Sequence, residues 1–296
     1  GRLKSCNVYS SGSDRASRLH RPIRGFARLV LGVRMDALLA PDEGPAVEIR
    51  NGSGPFVIVC EHASNRLPRS LGDLGVAEPD LQRHIAWDPG AAALAQGIAE
   101  RLSATTVMQR FSRLIIDCNR DPADADAFTA YSEHTEIPGN VNLSAAAKAS
   151  RVAAIWQPFH AALERLLDLR RTARRATALV TIHSFTPVYR GTARPWHVGI
   201  ISTTDRRLPE AMLTVLRRDR NLVVGDNQPY SAKDNVDYTI RRHGRDRALP
   251  HVMIEVRNDL LRAAEDIAAW VDRLSSALAE SAGVVGLHPA GAKFGT

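Results

Sequence analysis

Short apolar segments recur along the chain and alternate with segments of helical spacing. The apolar segments lie at 56–60 (FVIVC), 105–109 (TTVMQ), 114–118 (LIIDC), 178–183 (ALVTIH), 197–201 (HVGII), 221–225 (NLVVG) and 251–256 (HVMIEV). Helical spacing is found in residues 90–104, 150–174, 209–219 and 261–281. Strands that are apolar at nearly every position are buried on both faces. The pattern therefore predicts a three-layer α/β fold with a central, mostly parallel mixed sheet and helices on both faces.

The net charge of +7 is confined to one end of the chain. Residues 1–34 contain eight Arg or Lys and a single acid, Asp14, so the rest of the chain is formally neutral. We interpret 1–34 as a basic, disordered or non-native extension, 35–283 as a single α/β domain, and 284–296 as a flexible tail. A nucleic-acid partner is not expected of a neutral body. The alternative, that the basic extension itself binds nucleic acid or directs targeting, stays open.

Cysteine content and hydropathy bear on the compartment. The chain has three cysteines, Cys6, Cys60 and Cys118, and no CxxC pair. An odd and sparse set argues against a disulfide framework and is typical of a reducing cytoplasm. No apolar segment approaches the roughly 18 residues that span a bilayer. The sequence therefore predicts a cytoplasmic protein that does not associate with membranes.

Polar side chains lie at the carboxyl ends of four predicted strands. They occur at residues 61–62, 117–120, 183–184 and 255–257. In open α/β sheets, ligands bind where the loops converge at the carboxyl ends of the strands. Four such groups at equivalent ends indicate a functional site at that edge of the sheet.

Two of these polar residues, His62 and His183, together with Asp88 just before the helical segment 90–104, have the chemistry of a metal site. His62, Asp88 and His183 are the candidate ligands, with Glu61 as a rival for the second position. Two imidazoles and a carboxylate suit zinc, which in catalytic sites keeps one position open. We expect one divalent metal per chain. The alternatives are hydrogen-bonded structural histidines, and Asp88 as the N-cap of the helix that follows.

Glu255 is an acid within a strongly apolar segment, and a buried carboxylate is costly unless it is paired or functional. Its functional role would be that of a general base acting on a metal-activated water and returning the proton to the leaving amine. The alternative is a structural ion pair with Arg257 or another arginine.

Basic, amide and aromatic residues are candidates for substrate binding. Arg120, with Asn119 and Arg113, could hold a substrate carboxylate, because a guanidinium binds carboxylates through two parallel hydrogen bonds. We place Arg120 with Glu255 in the catalytic group. The long polar segment 226–244 has the length of a binding loop. Its candidate contacts are Tyr230, Tyr238, Arg241 and His243, and the alternative for His243 is that it ends a short helix. We interpret five other histidines as surface or packing residues: His84, His134, His160, His197 and His251.

These motifs together resemble the N-formylglutamate amidohydrolase family, whose fold is related to the zinc carboxypeptidases. The resemblance covers residues 50–275 and is carried by VCEHASNRLP, WDPGA, LIIDCNRDP, TIHSFTP, NQPYSAKDNVDYTIRRHG and HVMIEVRNDL. It implies zinc-dependent hydrolysis of a small N-acyl amino acid, with N-formyl-L-glutamate giving L-glutamate and formate. It also implies that His62 and His183 are metal ligands, that Glu255 is the general base, and that Asn119 and Arg120 hold the substrate carboxylate.

Two departures from the family pattern place the chain in a divergent branch. Zinc carboxypeptidases have a Glu three residues after the first metal-binding His, where this chain has Asn65. Formylglutamate enzymes have a Pro-His-x-Gly turn where this chain reads Glu-His-Ala-Ser. The alternatives are hydrolysis of another N-acyl amino acid or peptide, and a non-catalytic module that binds a metal or an amino acid.

Overall fold

The computed structural model describes residues 37–231 and 237–287. The predicted extension at 1–34 and most of the predicted tail at 284–296 lie outside these residues, as do five positions of the polar segment 226–244. Both assignments remain predictions. Within the described residues, no helix is long and apolar enough to cross a membrane.

A seven-stranded sheet forms the centre of the fold. In spatial order its strands are β1 (Val47–Arg50), β3 (Thr105–Gln109), β2 (Phe56–Cys60), β6 (Ala178–Phe185), β11 (His251–Arg257), β9 (Val198–Ile201) and β10 (Val224–Asp226). Neighbouring strands pair in parallel except at β1–β3 and β11–β9. The predicted mixed, mostly parallel sheet is therefore confirmed.

Two small hairpins stand outside the sheet. One joins β4 (Tyr131–Ser132) to β5 (Thr135–Glu136), and the other joins β7 (Val188–Tyr189) to β8 (Thr192–Ala193). The α-helices are α1 (Glu78–Leu81), α2 (Ala91–Leu102), α3 (Ala145–Arg151), α4 (Gln157–Thr172), α5 (Arg207–Leu216) and α6 (Ala264–Val284). Two segments have π-helical hydrogen bonding, Val152–Trp156 between α3 and α4, and Ile240–Gly244.

The side chains of β2 alternate between two apolar clusters, one on each face of the sheet. Ile58 packs in the cluster that contains the apolar faces of α2, α5 and α6. Val57 and Val59 pack in the cluster that contains Phe159 and Leu163 of α4. Each fully buried side chain of this size contributes about 1.5–3 kcal/mol. Helices on both faces confirm the three-layer architecture and explain why the strands are apolar at nearly every position.

The prediction of a strand at 114–118 is wrong. Leu114 and Ile115 are buried, but they belong to two different apolar clusters rather than to alternating faces of the sheet. Side chains satisfy their backbone carbonyls, because Asn140 Nδ2 donates to Leu114 O at 2.8 Å and Arg151 Nη1 donates to Ile115 O at 3.1 Å. The segment is an apolar turn that carries polar residues 117–120 to the edge of the sheet.

Candidate active site

His62, Asp88 and His183 converge at the carboxyl edge of the sheet. His62 follows β2, and His183 lies near the end of β6. The Nδ1 atoms of His62 and His183 lie 3.2 Å and 2.9 Å from the same oxygen, Oδ2 of Asp88. All three residues are buried, and one ligand atom from each lies within 4.8 Å of the others. The described part of the chain therefore contains a buried His-Asp-His group that could bind a metal.

The backbone places Asp88 between the two imidazoles. Its N–H donates to His62 O at 2.9 Å, and the N–H of Ser184 lies 3.4 Å from Asp88 Oδ2. Gly90 occupies the N-cap position of α2, so Asp88 is not the helix cap that the sequence offered as an alternative. Gly90 has φ +82°, and a Cβ there would lie 2.9 Å from the backbone oxygen of Leu261. Only glycine fits this turn, which carries Asp88 into the site.

A second carboxylate lies on the outer side of each imidazole. Asp117 Oδ1 is 2.7 Å from His62 Nε2, and Glu61 Oε2 is 3.2 Å from His183 Nε2. Asp117 can accept Nε2–H of His62 and so leave the lone pair of its Nδ1 facing inward, the arrangement that metal-binding histidines use, whereas Glu61 forms only an ion-pair contact with His183. Glu61, the rival ligand in the sequence, thus lies behind His183 and outside the His-Asp-His group.

The charges of the site favour a bound cation. Burial opposes protonation of His183, but the carboxylates of Glu61 and Asp88 outweigh it and hold the pKa of His183 well above its usual range. Burial likewise opposes protonation of His62, and Asp117 and Asp88 raise its pKa nevertheless. The negative charge that favours protonation of both imidazoles would be neutralised instead by a bound divalent cation. The donor set of two imidazole nitrogens and one carboxylate oxygen fits zinc.

Arg113 links the inner and outer carboxylates. Its Nη2 donates to Asp117 Oδ2 at 2.5 Å, and its Nη1 lies 3.5 Å from Asp88 Oδ1. The Arg113 side chain keeps 25% of its surface exposed. The guanidinium thus holds two carboxylates in place and also presents an edge to solvent.

Glu255 lies beside the His-Asp-His group. It is paired with His183 across the parallel strands β11 and β6, and it is 5% exposed. Its Oε2 has no hydrogen-bond partner among the described residues, and burial raises its pKa to about 7. The alternative ion pair with Arg257 is not formed, because Arg257 Nε donates to Asp259 Oδ1 at 2.8 Å. Glu255 therefore has the environment of a general base that works near neutral pH.

A cavity of about 340 Å³ opens onto this group. His62, Asp88, His183 and Glu255 line it together with Arg113, Asp117, Asn119, Arg120, Asp126, Tyr131, Tyr189, Arg190 and Tyr230. Arg120 Nε donates to Asp126 Oδ2 at 3.0 Å at the rim. Tyr230 accepts a hydrogen bond from Arg194 Nη1 at 3.2 Å, and burial raises its pKa to about 12, so its own proton stays available for donation.

Two predicted substrate contacts lie elsewhere. Among the described residues, the cavity lining includes neither Tyr238 nor Arg241. The ring of Tyr238 packs against Trp156 and His160, with centroid separations of 5.5 Å and 5.2 Å. Arg241 Nε lies 2.8 Å from Asp237 Oδ1. Both side chains are half-buried, and neither is part of the described cavity lining.

Asp117 and Arg194 were not assigned a role from the sequence. The available sequence signal for Asp117 was its position in a polar group at a predicted strand end, two residues before Asn119. Arg194 has no comparable signal, because its contact with Tyr230 depends on how the β7–β8 hairpin folds over the cavity.

The fold and the site define an α/β protein with a buried His-Asp-His group and a neighbouring carboxylate at the carboxyl edge of a mixed sheet. Residues 54–262 match the N-formylglutamate amidohydrolase family. The chain belongs to this family, and the resemblance seen in its motifs is confirmed.

Two solved structures show the same architecture. A gene product of Agrobacterium tumefaciens is 40% identical in sequence, with a TM-score of 0.82 over 84% of this chain and 99% of that one. The N-formylglutamate amidohydrolase from Ralstonia eutropha JMP134 is 17% identical, with a TM-score of 0.56 over 82% of this chain and 99% of that one. The second likeness shows the fold alone. None of the curated proteins compared with this chain matches it.

Proposed function

We propose that the protein is a zinc-dependent amidohydrolase that cleaves a small N-acyl amino acid, with N-formyl-L-glutamate as substrate and L-glutamate and formate as products. Family membership supports an amide hydrolase. The single observation that carries the mechanism is the position of Glu255, a buried carboxylate with an unpartnered oxygen, directly opposite His183 of the His-Asp-His group.

Zinc would be held by His62, Asp88 and His183, each through the atom that faces the common centre. When bound, it supplies a Lewis acid that polarises the scissile carbonyl and lowers the pKa of water toward ~7. Asp117 would keep the imidazole of His62 turned so that its Nδ1 faces inward, and Glu61 supplies a negative charge beside His183.

Glu255 moves the proton. Since its pKa is about 7, a substantial fraction is ionised at neutral pH and can take a proton from the attacking water. The protonated carboxyl then delivers that proton to the amide nitrogen, so the C–N bond breaks with an amine rather than an amide anion as leaving group. Water is the only co-reactant that the hydrolysis consumes.

The arginines of the cavity bind and orient the substrate. Arg120 lies at the rim and would hold the substrate carboxylate with Asn119, while the exposed edge of Arg113 faces the same space. Tyr230 retains its proton and would donate to the oxygen on which negative charge develops. The guanidinium groups of Arg113, Arg120 and Arg190 in the cavity lining support an N-acyl amino acid, rather than a neutral amide, as the proposed substrate.

The test combines metal analysis with a substrate panel. Wild-type protein should hold about one zinc per chain, whereas the double variant His62→Ala with His183→Ala should hold none. The control replaces His134 and His197, which lie outside the cavity lining, and should keep the metal. The panel compares N-formyl-L-glutamate with N-acetyl and peptidyl analogues. Absence of metal in zinc-replete wild type, or absence of turnover on the whole panel, would overturn the proposal.

A further inference from the structure

Two buried histidines, His160 and His243, lie edge to edge beside the turn that carries Asn119 and Arg120. His160 and His243 are 4% and 1% exposed, and their rings are nearly parallel, with an angle of 7° and centroids 5.2 Å apart. His160 Nδ1 lies 2.9 Å from His243 Nε2, and His160 Nε2 lies 2.8 Å from the backbone oxygen of Cys118. The two rings thus form a chain of hydrogen bonds that ends on the backbone of this turn.

Only one arrangement of protons satisfies this series of hydrogen bonds. The carbonyl of Cys118 can only accept, so Nε2 of His160 must carry a hydrogen. Burial lowers the pKa of His160 to about 4 and that of His243 to about 3, so both rings are neutral near pH 7. Nδ1 of His160 then accepts from Nε2–H of His243. Nδ1 of His243 is left without a hydrogen, and it has no partner among the described residues.

Three consecutive residues of the turn are held from outside it. His160 binds the carbonyl of Cys118, and the N–H of Thr239 donates to Asn119 Oδ1 at 3.1 Å. Trp156 Nε1 donates to Arg120 O at 3.0 Å. Because this segment is not part of the sheet, the contacts on the carbonyls of Cys118 and Arg120 take the place of the strand ladder that would otherwise fix its backbone, and the contact from Thr239 fixes the side chain of Asn119.

The two π-helical segments bring these groups to the turn. Trp156 is the last residue of Val152–Trp156, and His243 lies within Ile240–Gly244. A π-helical segment inserts an extra residue into a helix and shifts the direction of the side chains that follow, and such segments are frequent at functional sites. If the two rings only filled space in the core, apolar side chains would be more stable there, because burying the unpartnered nitrogen of His243 carries a desolvation penalty.

We propose that the His243–His160 pair is a positioning device that sets Asn119 and Arg120 at the geometry needed to bind the substrate carboxylate. The pair touches neither substrate nor metal and acts only through the backbone of the turn. This inference rests on the proposed function, in which Arg120 holds that carboxylate.

The test uses two substitutions of His160 in the zinc-loaded, full-length protein. His160→Leu removes the hydrogen bond to Cys118, whereas His160→Gln keeps a donor for Cys118 and an acceptor for His243. His160→Leu should raise KM for N-formyl-L-glutamate, and weaken the binding of the product L-glutamate, by about tenfold, with kcat and zinc content little changed. His160→Gln should restore most of the affinity.

The matched control is His251→Leu. His251 is also fully buried, but its ring binds Leu249 and Thr203, away from the cavity lining. A merely structural role for His160 predicts equal effects in the two Leu variants, and that result would overturn the proposal. So would a KM for His160→Leu equal to that of the wild type, or a Gln variant no better than the Leu variant. If His160→Leu does not fold, His243→Leu, which removes the donor to His160, replaces it.

Binding of L-glutamate separates this inference from the proposed function. Wild type that binds glutamate but hydrolyses no N-acyl amino acid would overturn the function, and the Leu and Gln variants would still test positioning through glutamate affinity. Wild type that binds no glutamate would overturn both.

Discussion

Glu255 on β11 and His183 on β6 stand directly opposite each other on parallel neighbouring strands. His183 lies four residues after Leu179, which packs in the cluster formed with α4, so both side chains project from the same face of the sheet. The register of two strands separated by 65 residues of chain thereby places a buried carboxylate next to an imidazole of the His-Asp-His group.

The first prediction concerns this carboxylate. Glu255→Gln should fold and bind zinc like the wild type but lower kcat by about 10²–10⁴, the usual contribution of a positioned acid–base group. Steady-state kinetics and metal content measured on the same sample would check it. Glu210→Gln, which alters an exposed acid paired with Arg206, serves as the control. Near-full activity in Glu255→Gln would exclude Glu255 as the base.

A second prediction concerns the outer carboxylate on His62. Asp117→Asn leaves a side chain of the same shape but removes the charge that orients Nε2–H. Zinc affinity should fall by about 10–100-fold, measured by competition with a chelator. Asp126→Asn is the control, because Asp126 pairs with Arg120 at the rim and does not reach the imidazoles. Equal zinc affinities in the two variants would count against the orienting role of Asp117.

A third prediction concerns Arg120. Arg120→Lys keeps the charge but loses the planar fork that matches a carboxylate. It should lower kcat/KM for N-formyl-L-glutamate about tenfold or more, mainly through KM. A substrate whose α-carboxylate is converted to an amide should react slowly with wild type and equally slowly with the variant. If Arg120→Lys lowers kcat/KM for the amide analogue as much as for N-formyl-L-glutamate, Arg120 acts on something other than that carboxylate.

A fourth prediction concerns acid stability. The pKa of His160 in the folded protein, about 4, lies below the value of ~6.5 expected in the unfolded chain. Below pH 6.5 the unfolded chain therefore binds a proton that the folded chain excludes, and the free energy of unfolding falls as the pH is lowered toward 4. Between pH 7 and pH 5, His160 alone should account for about 2 kcal/mol of lost stability.

The comparison with His160→Gln isolates that contribution, because the variant lacks the titrating imidazole but keeps a donor for Cys118 and an acceptor for His243. Urea unfolding should be measured for both proteins at pH 7, 6 and 5. The free energy of unfolding should fall faster with decreasing pH for the wild type than for the variant, so that the values for the two proteins converge. Parallel losses in the two proteins would show that His160 does not remain neutral in the folded state.

The sequence alone was sufficient for the layered fold and for the edge of the sheet at which the site lies. FVIVC is β2 with the predicted bounds, and ALVTIH and HVMIEV lie within β6 and β11, because strands buried on both faces must be apolar at nearly every position. The approach of His62 and His183 was also foreseeable, since the carboxyl ends of parallel strands meet at one edge, whereas Asp88 reaches that edge through the turn before α2.

Only the tertiary structure decided which polar groups touch. LIIDC has the composition of a strand, yet its apolar residues divide between two clusters and it forms a turn. The contacts of Asp117 with His62 and of His160 with His243 join residues 55 and 83 positions apart. Composition and periodicity report which side chains are buried, but hydrogen bonds depend on ångström-scale positions set by strand register, π-helical turns and the packing of distant segments.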